Sequence, residues 1–192
     1  MWRMETALLT ALLAVLVTAI GWVVSHRYTR ILAHRKDHLE LVNQQLAEFY
    51  GPLHISCEAG LAAYKALLKK LGRTEGIFNA GSKPTEEELK EWFHWMRHVL
   101  RPLNDLREEL ILQKSHLIRE DRMPDEILRF VAHVATYRAI LAKWEEGDFS
   151  ELYSPIEFPA SLGSYAASSF ATLKAEQARL IGLLRHLNRN LR

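Results

Sequence analysis

Glu91, His94 and His98 are the residues of this sequence whose types and spacing come closest to a metal site. Spacings of three and four place them on one helix face, and a histidine pair at i and i+4 can hold a divalent metal ion. Glu-x-x-His is also the spacing of a di-iron carboxylate motif, but that fold needs a second such motif, which the sequence lacks. Because the same face continues through Arg101 and Asp105, a solvated stripe is expected here, with metal binding as the alternative.

A second group lies near the junction of the third and fourth helices of the sequence. It contains His116, Glu120, His133 and Tyr137. His133 stands beside an apolar face in FVAHVATY, which favours a hydrogen-bonded structural histidine over a ligand or a general base.

A third group is aromatic and comprises Trp92, Phe93, Trp95 and Trp144. Such residues usually fill a core or a partner interface. Trp92 and Trp95 cannot easily face the same core as Phe93, so Trp92, Trp95 and Trp144 are candidates for a partner interface. No set of nucleophile, base and orienting residue is present, and we predict no catalytic residue and no cofactor.

The element that positions everything else is the stretch from Thr6 to Ser25, twenty residues without a charged side chain. At about 1.5 Å of rise per residue it reaches about 30 Å, the thickness of a bilayer's hydrocarbon core. Trp2 and Trp22 lie near its ends, where indoles favour the bilayer interface. The stretch predicts a transmembrane helix that acts as a signal anchor. A cleaved signal peptide, with Ala19 and Gly21 imitating a cleavage site, is the alternative.

Charge predicts the orientation of this helix. Before it stands Arg3, opposed by Glu5, whereas four cations follow it: Arg27, Arg30, Arg35 and Lys36. Because Lys and Arg near a span stay on the cytoplasmic side, the amino terminus should lie outside and the rest of the chain inside. Arg27 and Arg30, with the two tryptophans, are the predicted membrane-interface residues. The single Cys57 fits a reducing compartment and should be a small buried hydrophobe.

Residues 26–192 are long enough for one packed domain beyond the anchor at 1–25. The 25 Lys and Arg nearly balance the 23 Asp and Glu, giving a net charge of +2, so no nucleic-acid partner is expected. The locally basic tail (Arg185, Arg189 and Arg192) is expected to be a solvated helix end.

Apolar periodicity predicts an all-α chain, in which the transmembrane helix extends into an antiparallel cytoplasmic helical bundle. The predicted helical segments are a stalk at 26–50 and helices at about 52–71, 85–118, 124–146 and 159–190.

Local residues set several of these boundaries. The stalk should break at Gly51-Pro52, and Thr85 with Glu88 should cap the third helix. Pro102 should kink that helix without ending it, with Leu103, Leu106 and Leu110 continuing its apolar face.

Alternating helix directions would place two loops near the bilayer, those around Ile77-Phe78 and Leu152-Tyr153. The carboxyl-terminal tail would then end far from the membrane.

Five segments carry a resemblance to a group of bacterial membrane-anchored helical proteins. They are LAEFYGPL (46–53), RPLNDLREELILQKSHLI (101–118), MPDEILRFVAHVATYRAILAKWEEGDFS (123–150), FPASL (158–162) and LKAEQARL (173–180). No activity is established for that group, so the resemblance implies only a bacterial origin and hence the inner membrane.

The sequence therefore predicts a membrane-anchored interaction or scaffold protein. Its partners would be the lipid bilayer and a second protein or a second copy of the chain. Two alternatives stay open: a ligand- or metal-responsive bundle with an enzyme-like site, and a sensor of the membrane surface acting through Ile77 and Phe78.

Overall fold

Every element that the computed structural model describes is helical. The backbone is described for residues 2–78 and 83–189, and the side chains for residues 12–78 and 83–187. The α-helices are α1 (Trp2–Gln44), α2 (Gly51–Lys70), α3 (Glu86–Trp95), α4 (Arg101–Lys114), α5 (Asp125–Glu145) and α6 (Ser161–Arg189). Two π-helical segments, Gln45–Tyr50 and Met96–Leu100, and a 3-10 turn, Ser115–Leu117, connect some of them. The all-α prediction is confirmed.

Local residues set several of the helix ends, among them the predicted start of α3. The Glu88 N–H donates to Thr85 Oγ1 at 3.2 Å, and the Thr85 N–H donates to the Glu88 carboxylate at 2.8 Å, which confirms the capping box. Arg73, 2.5 Å from the same carboxylate, is the main reason that the pKa of Glu88 falls to about 2. Gly72 and Gly147, with φ of 67° and 83°, follow α2 and α5.

The described helices divide into two compact units. One contains α1 up to Asn43 together with α6 from Glu176, and the other runs from Gln44 to Ala175. The boundary differs from the predicted one at residue 25, because the stalk residues group with the end of α6.

In the first unit, α1 and the end of α6 run in opposite directions. Gln177 Nε2 donates to Asn43 Oδ1 at 2.7 Å, while the Tyr28 hydroxyl donates to the Leu187 carbonyl at 3.4 Å. Leu187 therefore lies beside a residue only three positions after Ser25. The expectation that the tail ends far from the apolar stretch is wrong, because it depended on a chain reversal at Gly51-Pro52.

Each π-helical segment is followed closely by a proline, Pro52 or Pro102. Proline has no N–H to donate, and its ring crowds the carbonyl four residues earlier in an α-helix. In the first segment the Gly51 N–H instead reaches back five residues to the Leu46 carbonyl, and the second segment repeats this arrangement. The wider turn accommodates the proline, and the flanking residues keep right-handed helical dihedrals. The predicted break at Gly51-Pro52 is therefore wrong, whereas Pro102 lies inside a helical run as expected.

The second π-helical segment also changes which side chains of α4 face the core. One extra residue in the turn rotates all later side chains by about 100°. The structure buries Arg107, Glu108 and Ile111, whereas Leu106 is 57% exposed. The predicted apolar face through Leu106 and Leu110 is therefore out of phase with the real one.

The first π-helical segment predicts a specific sensitivity at Gly51. A Cβ at this position would lie 2.5 Å from the Leu46 carbonyl oxygen, so Gly51→Ala should lower the free energy of unfolding by about 1–3 kcal/mol. Gly163→Ala in α6 is the matched control, because nothing lies within 4 Å of the position that the added methyl would take, and alanine favours helix by roughly 0.5–1 kcal/mol. Denaturant unfolding of the full chain in detergent, followed by circular dichroism, measures both changes. Equal effects of the two substitutions would contradict the crowding.

Candidate functional site

An uncovered apolar surface runs along α1 from Leu12 to Val24. The large apolar side chains in this range are between 45% and 68% exposed. Within the described part of the chain, the helix that begins near the amino terminus is the one long and apolar enough to cross a membrane. The Thr18 hydroxyl in this range donates to the Ala14 carbonyl at 2.7 Å, so this polar group is satisfied within the helix.

Polar and aromatic residues begin where this apolar surface ends. Trp22 is 68% exposed and its ring stacks on that of His26, with 5.4 Å between centroids and planes only 7° apart. Arg27 and Arg30 follow directly and are both exposed. Three of the predicted interface residues therefore lie in sequence at one end of the apolar surface, and the side chain of Trp2 lies outside the described ones.

The predicted metal candidates occupy one exposed face, but their carboxylate has another partner. The rings of His94 and His98 lie 4.7 Å apart, as the spacing predicts. Glu91 accepts from Lys70 Nζ at 2.5 Å, and this contact lowers the pKa of its carboxyl group. The residues with described side chains contain no cluster of three His, Cys, Asp or Glu suited to a metal ion. Metal binding here stays a prediction with no further structural support.

The tryptophans proposed for a partner interface lie mostly inside the second unit. Trp92 is 8% exposed and Trp144 is 2% exposed, and both belong to the core cluster. Trp95 is partly buried against that cluster. Burial argues against a partner interface built on Trp92 and Trp144, because their indoles already fill the core between α3 and α5.

These buried aromatic residues hold the loop between α5 and α6 through their polar atoms. Trp92 Nε1 and the Tyr137 hydroxyl both donate to the Leu152 carbonyl at 3.3 Å. Trp144 Nε1 donates to the Glu151 carbonyl at 2.7 Å. Backbone carbonyls that the loop would otherwise leave unpaired thus receive donors from the helices.

His133 also holds the loop between α5 and α6 through a hydrogen bond. Its Nδ1 lies 2.6 Å from the Ile156 carbonyl, which can only accept, so Nδ1 must carry the proton. Burial lowers the pKa of His133 and keeps the ring neutral. Its ring contacts Tyr137 and Phe158, with 5.5 Å between centroids in each case. This is the structural role that the sequence favoured.

Glu120, grouped with His133 by the sequence, instead joins a tyrosine pair that the sequence did not reveal. The Tyr165 hydroxyl donates to the Glu120 carboxylate at 3.0 Å, and the buried Tyr50 hydroxyl lies 3.3 Å from the same oxygen. The Arg119 N–H donates to the Tyr50 oxygen at 3.1 Å. Burial raises the pKa of both tyrosines, so they stay protonated and serve as donors. This network fixes the chain just after the 3-10 turn. His116, another member of the predicted group, is exposed.

The Ile77-Phe78 segment, offered as a membrane-sensing loop, folds inward instead. Ile77 is 1% exposed and belongs to the core cluster. Phe78 packs on Trp92 and Tyr153, with ring centroids 5.3 Å and 5.2 Å apart. The membrane-sensor alternative therefore loses the two side chains on which it depended.

Arg107 is the most unusual polar residue of the second unit, and the sequence patterns did not reveal it. It is 2% exposed, donates to the Ser56 carbonyl at 2.6 Å and to Asn104 Oδ1 at 2.7 Å, and lies over the Phe130 ring at 5.8 Å. Its Nε has no hydrogen-bond partner among the described residues, and burial lowers the pKa of the guanidinium. Gly60 leaves the space that the guanidinium occupies.

An exposed apolar patch lies on the outer side of the α2 and α4 pair. These helices run in opposite directions, because Glu48 pairs with Lys114 at 2.7 Å while Ser56 pairs with Arg107 further along. Ser56 and Arg107 meet between the two helices. Ile55 and Leu106 each stand one position before one of these residues, so in antiparallel helices both point to the same outer side of the helix pair. They are 69% and 57% exposed, and the neighbouring Ala59 is exposed as well. We call Ile55, Ala59 and Leu106 the α2–α4 patch.

Comparisons of the chain with known protein families, with curated protein sequences and with solved structures give no match. The resemblance to bacterial membrane-anchored helical proteins consequently stays an expectation.

The contact between Gly60 and Arg107 predicts an energetic coupling between the two positions. Gly60→Ala should destabilise the chain, because the added methyl would displace the guanidinium of Arg107 from its hydrogen bonds with Ser56 and Asn104. In an Arg107→Met background the methyl has room, so the same substitution should cost little. Denaturant unfolding of the wild type, both single variants and the double variant gives the coupling energy, expected at about 1–3 kcal/mol. Additive effects would mean that the two side chains do not compete for one space.

Proposed function

We propose that this chain is a single-pass membrane protein whose helical domain docks a partner protein, or a second copy of itself, on the cytoplasmic face of a bacterial inner membrane. In this proposal α1 crosses the bilayer with its amino-terminal end outside. The remaining helices form an antiparallel bundle that presents an interaction surface.

The uncovered surface of α1 is the observation that carries the anchor. Eight aliphatic side chains between Leu12 and Val24, together with Trp22, are largely exposed. Burying a side chain of this size contributes about 1.5–3 kcal/mol, so leaving eight in water forgoes on the order of 10 kcal/mol. A bilayer removes this cost, and the helix satisfies its own backbone hydrogen bonds there.

The orientation follows from the cations at the carboxyl-terminal end of the apolar surface. Arg27, Arg30 and Lys36 are exposed, and Arg35 is partly buried. Because the cytoplasmic flank of a span is the one enriched in Lys and Arg, the proposed domain lies inside the cell.

The α2–α4 patch supports the docking role. Ile55 and Leu106 are more than half exposed although the core of the same unit is well packed around Trp144 and Phe130. Extensive contiguous apolar surface marks protein contacts, so in this proposal the patch is the apolar centre of a larger contact. The ion pair of Glu48 with Lys114 joins the same two helical runs about two turns from the patch and would form part of the polar rim of a contact centred there.

The anchor predicts a strong effect of charge at the middle of the apolar surface. Leu16→Arg should reduce the fraction of the chain that resists carbonate extraction from membranes, since arginine at the centre of a span costs about 2.5–3.5 kcal/mol on insertion. Ser25→Arg, at the end of the stretch, is the matched control and should stay membrane-bound. Equal extraction of both variants, or protease digestion of the helical domain from outside intact cells, would contradict the proposal.

The docking role predicts where a partner contacts the domain. A photo-crosslinking residue placed at Ile55 or Leu106 in intact membranes should give a discrete adduct, identified by mass spectrometry as a second copy or another protein. Leu128 on α5 is the matched control, because it is 53% exposed. Crosslinking at Leu128 but not at the patch would refute the assignment of this face, and a monomer without adducts at any position would refute the docking role.

A further inference from the structure

The opposite directions of α1 and α6 bring together two stretches that contain cations and no carboxylates. Residues 26–36 and 177–189 contain neither Asp nor Glu. Their arginines and lysine are Arg27, Arg30, Arg35, Lys36, Arg179, Arg185 and Arg189. The stretches are more than 140 residues apart in sequence, and the sequence alone placed the second far from the membrane.

The contact between Tyr28 and Leu187 shows which positions along the axes of α1 and α6 lie side by side. Arg27 and Arg30 stand on either side of Tyr28 in α1, whose hydroxyl lies 3.4 Å from the Leu187 carbonyl. Arg185 precedes Leu187 by two residues, about 3 Å along the helix axis. The three arginines therefore lie within about one helical turn of the same level.

Among the residues with described side chains, no carboxylate lies in these two stretches. Arg27, Arg30 and Arg185 are exposed and form no ion pair within the described residues. An ion pair of the same unit, His38 with Glu176 at 3.1 Å, lies further from the apolar surface. Like charges at such spacings repel one another, so an external anion would stabilise the arrangement.

We propose that Arg27, Arg30 and Arg185 form a basic collar that binds the phosphate groups of anionic phospholipids. The lipid is favoured over a soluble anion because the collar begins where the exposed apolar surface ends, at Trp22 and His26. Headgroup phosphates lie at that depth when the preceding helix spans the hydrocarbon core. The inference rests on the proposed membrane anchor and adds a lipid preference to it.

Lipid selectivity of the full chain in nanodiscs tests the collar. Discs containing equal amounts of phosphatidylglycerol and phosphatidylcholine are prepared, and lipids retained by the released protein are counted by native mass spectrometry. The wild type should retain phosphatidylglycerol preferentially. Arg185→Gln should reduce the preference by roughly fivefold, as should Arg27→Gln or Arg30→Gln. Arg185→Lys keeps the charge and should retain most of it.

Arg179→Gln is the matched control on the same helix. It removes the same charge about 9 Å further along α6, so it should change the preference much less. Equal effects of Arg179→Gln and Arg185→Gln, or an effect of the α1 arginines alone, would overturn the two-helix collar. So would retained inorganic phosphate in place of lipid.

The same experiment separates this inference from the proposed function. If the chain enters discs of pure phosphatidylcholine but shows no preference in mixed discs, the collar is wrong and the anchor stands. If the chain does not enter discs of either composition, the anchor itself is wrong.

Discussion

Two prolines inside helical runs constrain this structure more than any other residues. Pro52 and Pro102 cannot donate a backbone hydrogen bond, and each is accommodated by a π-helical turn rather than by a chain reversal. The extra residue in the second turn moves Arg107 and Glu108 into the core positions of α4 and leaves Leu106 outside. The second π-helical turn thus both buries the guanidinium of Arg107 and exposes Leu106, a member of the α2–α4 patch.

Burying polar residues is costly unless they are paired, and the second unit pairs most of its own. Indole, phenol and imidazole donors from α3 and α5 meet carbonyls of the following loop, as with Trp144 and Glu151 at 2.7 Å. Glu108 pairs with Arg138, while Arg107 relies on the Ser56 carbonyl and on Asn104. The loop is therefore fixed by hydrogen bonds that require fully packed helices, which ties its order to that of the core.

Local patterns predicted the helices and the cap of α3, because such signals act within a few residues, as with Thr85 and Glu88. The patterns failed where one local change in the backbone alters the orientation of all later side chains of the helix. A proline inside a helical run does not show by itself whether the helix ends, kinks or forms a π-helical turn, and a shift of one residue exchanges Leu106 for Arg107 at the core. The interactions of Tyr50 with Tyr165 and Glu120 were equally hidden, since they join segments up to 115 residues apart.

In the proposed membrane anchor, a second copy of the chain would not take the place of lipid around α1. A helix pair covers about one face of each helix, whereas exposed apolar side chains from Leu12 to Val24 occur on successive turns and on several faces, including the adjacent Leu16 and Val17. Self-association would still leave much of this surface in water. Only a surrounding apolar solvent covers all sides at once, and the internal hydrogen bond of Thr18 is the form that a hydroxyl takes in such a solvent. Oligomerisation through another surface is compatible with the proposed anchor, since the anchor and that surface consist of different residues.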